Sequence, residues 1–164
     1  MDKSDFSWVA PAFAERGISV ALPNYTLVPK VTIEDIVRQI LGALAWLWRN
    51  GPPLGFDRNR IVVSGHSAGG HLTAMGLAHP VVTAGLAISG VFELGPLRDT
   101  YLNEKLRLTE DEIVKLSPLR LPMIKKPLAI TYGTAELPPL VGDSRKLHEV
   151  RAAQHLKGAL IPVA

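Results

Sequence analysis

The sequence contains no cysteine in its 164 residues. The chain therefore has no disulfide framework, no thiolate metal site and no cysteine nucleophile, although this absence identifies no cellular compartment. Long apolar runs are also missing. The opening "MDKSDFSWVAP" is not the apolar stretch of a secretory signal, and no run approaches the roughly 20 apolar residues of a membrane span. We expect a cytoplasmic protein with no membrane partner.

Positive charge is not concentrated anywhere along the chain. The 18 basic and 15 acidic residues give a net charge of +3, and the nearest thing to a basic cluster is "IKK" at 124–126. Because nucleic-acid-binding proteins gather basic residues on one face, we expect no nucleic-acid partner. The sequence is instead 47% hydrophobic, without an internal repeat or linker, which predicts one globular domain over residues 1–164.

Apolar runs of strand length alternate with stretches of helical pattern. The clearest helix covers residues 33–48, where apolar residues recur every three or four positions, Thr32 can cap the helix, and Asp35 is its third residue. Further helices are expected over residues 5–17, 67–78 and 143–155. The predicted strands are "ISVALP" (18–23), "RIVVSG" (60–65), "AGLAIS" (84–89), "LAITYG" (128–133) and "ALIPVA" (159–164). About five short strands between helices imply an α/β fold, a predominantly parallel sheet with helices on both faces.

A glycine-rich turn separates "RIVVSG" from the helix that follows it. Gly65-His66-Ser67-Ala68-Gly69 matches G-x-S-x-G, the nucleophile elbow, in which a tight strand-to-helix turn strains the serine backbone. Glycine is expected at both ends of the motif because a Cβ there would collide with neighbouring backbone. We predict a positive φ for Ser67, a nucleophilic hydroxyl at the carboxyl edge of the sheet, and an Ala68 N–H that binds an oxyanion. Neither G-x-x-x-x-G-K-[ST] nor G-x-G-x-x-G is present here, which disfavours a phosphate-binding loop.

A serine nucleophile needs a base to remove its proton and a carboxylate to orient that base. The acid is expected after the serine in the chain, and Glu136 lies a few residues beyond "LAITYG", at the same sheet edge as Ser67. Asp143 is the alternative acid. The five histidines are His66, His71, His79, His148 and His155. None is well placed as the base, which should follow the last strand, where the sequence stops.

Four segments carry a narrower signal. They are "GHSAGGHL", "PNYTLVPKVTIEDIVRQI", "ALAWLWRN" and "SGVFELGPLRDTYLNEKLRLTEDEIVKLSPL". In these segments the sequence resembles the α/β-hydrolases of the arylformamidase (kynurenine formamidase-like) and carboxylesterase group. The resemblance implies that Ser67 is the nucleophile, Ala68 an oxyanion donor and Glu136 the acid, although many members have aspartate at the last position. It also implies that residues 92–122 are a cap-side insertion beside the active site.

The same resemblance implies that the chain is an internal part of a larger hydrolase fold. Members of the group have further strands and a His-Gly-Gly-type oxyanion loop on the N-terminal side, and a catalytic histidine segment on the C-terminal side. In their strand order, 1-2-4-3-5-6-7-8, one missing strand would separate "ISVALP" from "RIVVSG". The other four strands should then form a contiguous parallel sheet, with "ISVALP" either apart from it or shifted to pair with "RIVVSG".

The resemblance implies a serine hydrolase that cleaves small amide or ester substrates through an acyl-enzyme. Arylformamides of the N-formylkynurenine type are the leading substrate class, followed by aryl or feruloyl-type esters, and no cofactor or metal is implied. Because the histidine and the oxyanion loop are missing, we expect this chain to be inactive alone. The alternative is a catalytically silent remnant that binds small ligands or a partner, and the oligomeric state stays open.

Overall fold

A computed structural model describes residues 2–164 of the chain. Its four parallel strands are β1 (Ile61–His66), β2 (Val82–Ile88), β3 (Leu128–Gly133) and β4 (Leu160–Val163). They form one sheet in the order β1-β2-β3-β4, which confirms four of the predicted strands and their contiguous parallel arrangement. In the register, His66 pairs with Ile88, which pairs in turn with Thr131. The carboxyl ends of β1, β2 and β3 therefore meet at one edge of the sheet.

Two helices precede β1, and the other helices lie in the connections between the strands. They are α1 (Ala10–Ala14), α2 (Ile33–Asn50), α3 (Ala68–Gly76), α4 (Asn103–Leu106), α5 (Glu110–Leu116) and α6 (Pro138–Ala153), with 3-10 turns at Lys3–Val9, Pro52–Leu54, Gly95–Asp99 and Pro118–Arg120. The predicted cap of α2 is confirmed, because Thr32 and Asp35 each accept a hydrogen bond of 3.1 Å from the other's backbone N–H. Helix α6 begins five residues earlier than predicted because Pro138 and Pro139 fit a first helical turn, which needs no N–H donors.

The predicted strand "ISVALP" is wrong, because residues 18–23 form no strand. Ile18 and Val20 are 51% and 36% exposed, and no backbone hydrogen bond within the described chain joins this segment to β1. Of the two arrangements expected for the segment, the structure has the one in which it stays apart from β1. An apolar run of strand length becomes a strand only where a neighbouring strand satisfies its backbone groups. Because residues 18–23 do not pair with β1, β1 lies at the edge of the sheet.

Helices α2, α3 and α6 pack on one face of the sheet and share a buried apolar cluster with it. The members of this cluster are Leu44, Ile61, Leu77, Val82, Ala87, Phe92, Leu128, Ile130 and Leu147. On the opposite face, Val62, Ile161 and Val163 are 59%, 47% and 53% exposed. The prediction of helices on both faces is therefore confirmed for one face only. Helix α1 does not cover the opposite face, since no residue before Tyr25 belongs to either buried cluster.

A second buried cluster holds the connection between β2 and β3 against α2 and α3. Its members are Ile36, Val37, Leu72, Leu94, Leu108, Ile113 and Leu116. The connection, residues 92–122, leaves the sheet at the carboxyl end of β2. It therefore lies beside the edge at which the candidate catalytic residues were predicted.

Candidate active site

Ser67 occupies the turn between β1 and α3. Its backbone has φ 56° and ψ −115°, which confirms the positive φ expected for this residue and is a strained conformation for a side chain with a Cβ. The turn is held from both sides. The Ser67 N–H donates to the carbonyl of Ile88 at 2.9 Å, and the Ser67 carbonyl accepts from the N–H groups of Gly70 and His71, which starts α3.

The glycines of the turn differ in whether their surroundings leave room for a Cβ. A Cβ on Gly65 would lie 2.5 Å from the carbonyl oxygen of Gly69, so the expected collision at Gly65 is confirmed. The expected collision at Gly69 is wrong, because a Cβ there would meet nothing within 4 Å. Gly70 is the second crowded position, since its Cβ would lie 2.6 Å from the Cα of Gly90. The start of α3 therefore lies tightly against the chain that leaves β2, at Gly70, as well as against the end of β1, at Gly65.

Ala68 is the first residue of α3. The first N–H groups of an α-helix have no acceptor within the helix and carry the positive end of its dipole. An N–H in this position, on the residue directly after Ser67, has the chemistry to stabilise a developing oxyanion. His66, the remaining residue of the motif, is exposed at the end of β1.

Glu136 follows β3 at the same edge of the sheet as Ser67, as predicted. Its N–H donates to the carbonyl of Gly133, the last residue of the strand, at 3.2 Å. Its Oε1 accepts a hydrogen bond of 2.6 Å from the hydroxyl of Ser89. Its Oε2 is buried and has no hydrogen-bond partner among residues 2–164. The carboxylate thus has one oxygen held in place and one buried oxygen that can still accept a hydrogen bond.

Asp143, the alternative acid, has a different set of contacts. It lies on α6, and its Oδ2 accepts hydrogen bonds from the backbone N–H groups of Phe92 at 2.7 Å and Glu93 at 2.9 Å. Burial raises the pKa of the Asp143 carboxyl, while these two hydrogen bonds act in the opposite direction. The side chain therefore fixes the start of the connection between β2 and β3.

The histidines of the chain have other surroundings. His71 is buried on α3, where its Nε2 lies 2.7 Å from the carbonyl oxygen of Leu116, and burial lowers the pKa of its ring. His79 precedes β2 at the amino edge of the sheet, and His155 likewise precedes β4, whereas His148 lies on α6. Within residues 2–164, no hydrogen bond joins a histidine ring to Ser67 or Glu136.

Ser89 was not predicted from the sequence as a site residue. It follows β2 directly, is 1% exposed and has a positive φ of 47°. The signal that could have identified it is a Ser-Gly pair immediately after a buried parallel strand, at the edge where Ser67 and Glu136 were expected. From that position the Ser89 hydroxyl reaches Glu136, beyond the end of β3.

Residues 2–164 contain no group of three or more His, Cys, Asp or Glu side chains that could hold a metal ion. None of the helices described in this range is long and apolar enough to cross a membrane.

Comparison with known proteins identifies the family. The BD-FAE family model matches residues 2–84. The kynurenine formamidase of Danio rerio is 27% identical over 128 residues, covering 73% of this chain and 42% of the relative. A probable isoprenylcysteine alpha-carbonyl methylesterase of Oryza sativa is 31% identical over 140 residues, with 71% and 32% covered. The crystal structure of a candidate thioesterase from Silicibacter sp. TM1040 superimposes with a TM-score of 0.82 at 29% identity, covering 100% of this chain and 63% of that one.

This chain spans less than half the length of these curated relatives. Its parallel sheet with helices has the fold of the esterases among its structural neighbours, including that of Pyrobaculum calidifontis, with a TM-score of 0.75. The chain belongs to the BD-FAE family and is an α/β-hydrolase of the formamidase and esterase group.

Proposed function

We propose that Ser67 is the nucleophile and Glu136 the acid of a serine hydrolase that cleaves small ester or amide substrates. The observation that carries the proposal is their arrangement at one edge of the sheet. Ser67 has the strained backbone of a nucleophile elbow, and Glu136 presents a buried oxygen, Oε2, without a partner among the described residues. A buried carboxylate oxygen in that state is costly unless it accepts a hydrogen bond, and the N–H of a histidine base is the donor that a serine triad requires there.

The proposed reaction is acyl transfer. The Ser67 hydroxyl attacks the substrate carbonyl and gives its proton to the base, while the Ala68 N–H stabilises the oxyanion. The base then protonates the leaving amine or alcohol, and an ester to Ser67 remains. Water hydrolyses this ester by the same steps, releasing the acid and restoring the hydroxyl.

The proposed substrate class is a small formamide or ester. The names of the relatives refer to a formamide and to a methyl ester, and both are carbonyl compounds. Arylformamides remain the leading class and aryl or feruloyl-type esters the next. We place residues 92–122 beside the site as a cap-side insertion within a single hydrolase domain, and the cytoplasmic location stays a prediction from the sequence.

The 164-residue chain is proposed to be inactive alone. A serine triad without its histidine loses roughly 10⁶ in turnover, and the histidine rings of residues 2–164 make their hydrogen bonds elsewhere. The alternative is a catalytically silent remnant that binds small ligands or a partner. This alternative is favoured by one observation, namely that no histidine ring within residues 2–164 is hydrogen-bonded to Ser67 or Glu136.

Hydrolysis of 4-nitrophenyl acetate at increasing imidazole concentrations distinguishes the serine hydrolase from the silent remnant. Imidazole supplies both the N–H donor for Glu136 and the base for Ser67. Without imidazole, we expect the chain to be no faster than Ser67→Ala. With imidazole, we expect the chain to hydrolyse the ester faster than Ser67→Ala does. The Ser67→Ala rate corrects for direct hydrolysis by imidazole, and Glu136→Gln should lose most of the rate that exceeds it. No excess at any imidazole concentration would favour the silent remnant, and Ser67-dependent turnover without imidazole would require a base from within the chain or a second copy.

A further inference from the structure

Ser89 follows β2, the strand between the one that leads to Ser67 and the one that leads to Glu136. Its backbone is strained and its side chain is buried. Its φ of 47° lies in the left-handed region, which few residues other than glycine adopt without cost, and its side chain is 1% exposed. The Ser89 N–H donates to the carbonyl of Thr131 on β3 at 2.8 Å. Backbone strain of this kind persists only where the surrounding structure holds the residue in place.

The strained backbone aims the Ser89 hydroxyl at Glu136. The hydroxyl donates to Oε1 of the carboxylate at 2.6 Å, within the usual range for an O–H···O hydrogen bond. Because Oε1 is occupied, Oε2 is the oxygen left to accept from another group, and it is buried without a partner in the described part of the chain. The contact thus distinguishes the two oxygens of the Glu136 carboxylate.

The same short segment also holds the nucleophile turn. The carbonyl of Ile88, immediately before Ser89, accepts the hydrogen bond from the Ser67 N–H at 2.9 Å. Gly90, immediately after it, lies against Gly70 so closely that a Cβ on Gly70 would be 2.6 Å from the Gly90 Cα. Ser89 is therefore one residue away from the contacts that locate Ser67, and its own hydroxyl locates Glu136.

We propose that Ser89 is a positioning residue that sets the Glu136 carboxylate relative to Ser67 and directs Oε2 toward the base. The assignment rests on the proposed function of Ser67 and Glu136. Ser89 touches neither substrate nor reacting atoms in this role. It acts through Glu136, so its loss should reduce the rate of the chemical step and leave substrate binding unchanged.

Three serine variants test the assignment. Ser89→Gly removes the hydroxyl and suits the positive φ, whereas Ser89→Ala removes the hydroxyl and keeps the strain. Ser144→Ala is the matched control, because the Ser144 hydroxyl is also buried but has no hydrogen-bond partner within residues 2–164. We expect the thermal midpoint of Ser89→Ala to lie below that of Ser89→Gly. If the role is positioning, both Ser89 variants should nevertheless lose imidazole-supported kcat alike.

The first readout is the side-chain carboxyl ¹³C resonance of Glu136 in glutamate-labelled protein, assigned by its loss in Glu136→Gln. We expect this resonance to move in Ser89→Gly and to stay in place in Ser144→Ala. The second readout is imidazole-supported turnover of 4-nitrophenyl acetate, in which Ser89→Gly should lower kcat by about 10²-fold with KM unchanged, the size of loss that a misplaced catalytic group can cause.

An unchanged Glu136 resonance in Ser89→Gly would overturn the assignment, and so would a kcat no lower than that of Ser144→Ala. If the parent chain has no Ser67-dependent turnover in imidazole, the proposed function fails on its own. The Glu136 resonance still decides then whether Ser89 positions the carboxylate.

Discussion

His71 and Leu116 join α3, the helix that follows Ser67, to the connection between β2 and β3. The His71 Nε2 lies 2.7 Å from the Leu116 carbonyl oxygen, 45 residues further along the chain. Both residues are buried, and their neighbours Leu72 and Ile113 share an apolar cluster. This hydrogen bond and the apolar cluster together hold the connection against α3.

Burial of the His71 ring predicts a loss of stability in mild acid, whereas the hydrogen bond to Leu116 raises the pKa of the ring and acts in the opposite direction. Burial lowers the pKa of His71 in the folded chain, whereas the unfolded chain binds the proton near the ordinary value of 6.5. The free energy of unfolding should therefore be constant above about pH 6.5 and fall below it, by up to about 1.4 kcal/mol per pH unit.

Urea unfolding between pH 8 and pH 5 measures this effect. His71→Gln is the control, because its amide can donate to Leu116 without titrating, so the acid-dependent loss should be smaller. His79, whose pKa is also lowered, is present in both proteins and cancels in the comparison. An equal loss in both proteins would show that His71 is not responsible.

Asp143 should matter for stability and not for catalysis. Asp143→Ala leaves the N–H groups of Phe92 and Glu93 without their acceptor, and we expect a loss of about 1 to 3 kcal/mol in the free energy of unfolding. Asp143→Asn keeps an acceptor oxygen and should lose less. In imidazole-supported turnover, Asp143→Asn should retain activity and Glu136→Gln should lose it, and the reverse result would make Asp143 the acid.

Neighbouring glycines in α3 should respond in opposite ways to alanine. A Cβ on Gly70 would lie 2.6 Å from the Gly90 Cα and 3.0 Å from the Ile88 carbonyl oxygen, so Gly70→Ala should cost about 1 to 3 kcal/mol. Gly69→Ala meets open space within a helix and should be neutral or stabilising by about 0.4 to 1 kcal/mol. Urea denaturation of the two variants provides the comparison, and similar losses in both would contradict the packing described for the turn.

Much of the local structure could be predicted from the sequence. The strand–turn–helix around Ser67 and the cap of α2 are set by residues that are close in the chain, and the predicted bounds of β3 match those of the structure. The pairing of Ser89 with Glu136 could not be predicted, because the two residues are 47 positions apart and meet only through the register of β2 and β3. The prediction of a strand at 18–23 was wrong for a related reason, since an apolar pattern carries no information on whether a partner strand is present.

Covalent labelling tests the central claim, that Ser67 is a nucleophile activated by a base that Glu136 orients, more directly than any other measurement. The chain is incubated with a fluorophosphonate, with and without imidazole, and the adduct is located by mass spectrometry of its peptides. We predict one adduct, on Ser67, formed faster in imidazole and slowed in Glu136→Gln. No adduct on Ser67 in imidazole, or labelling of Ser67 no faster than of other serines, would contradict the account.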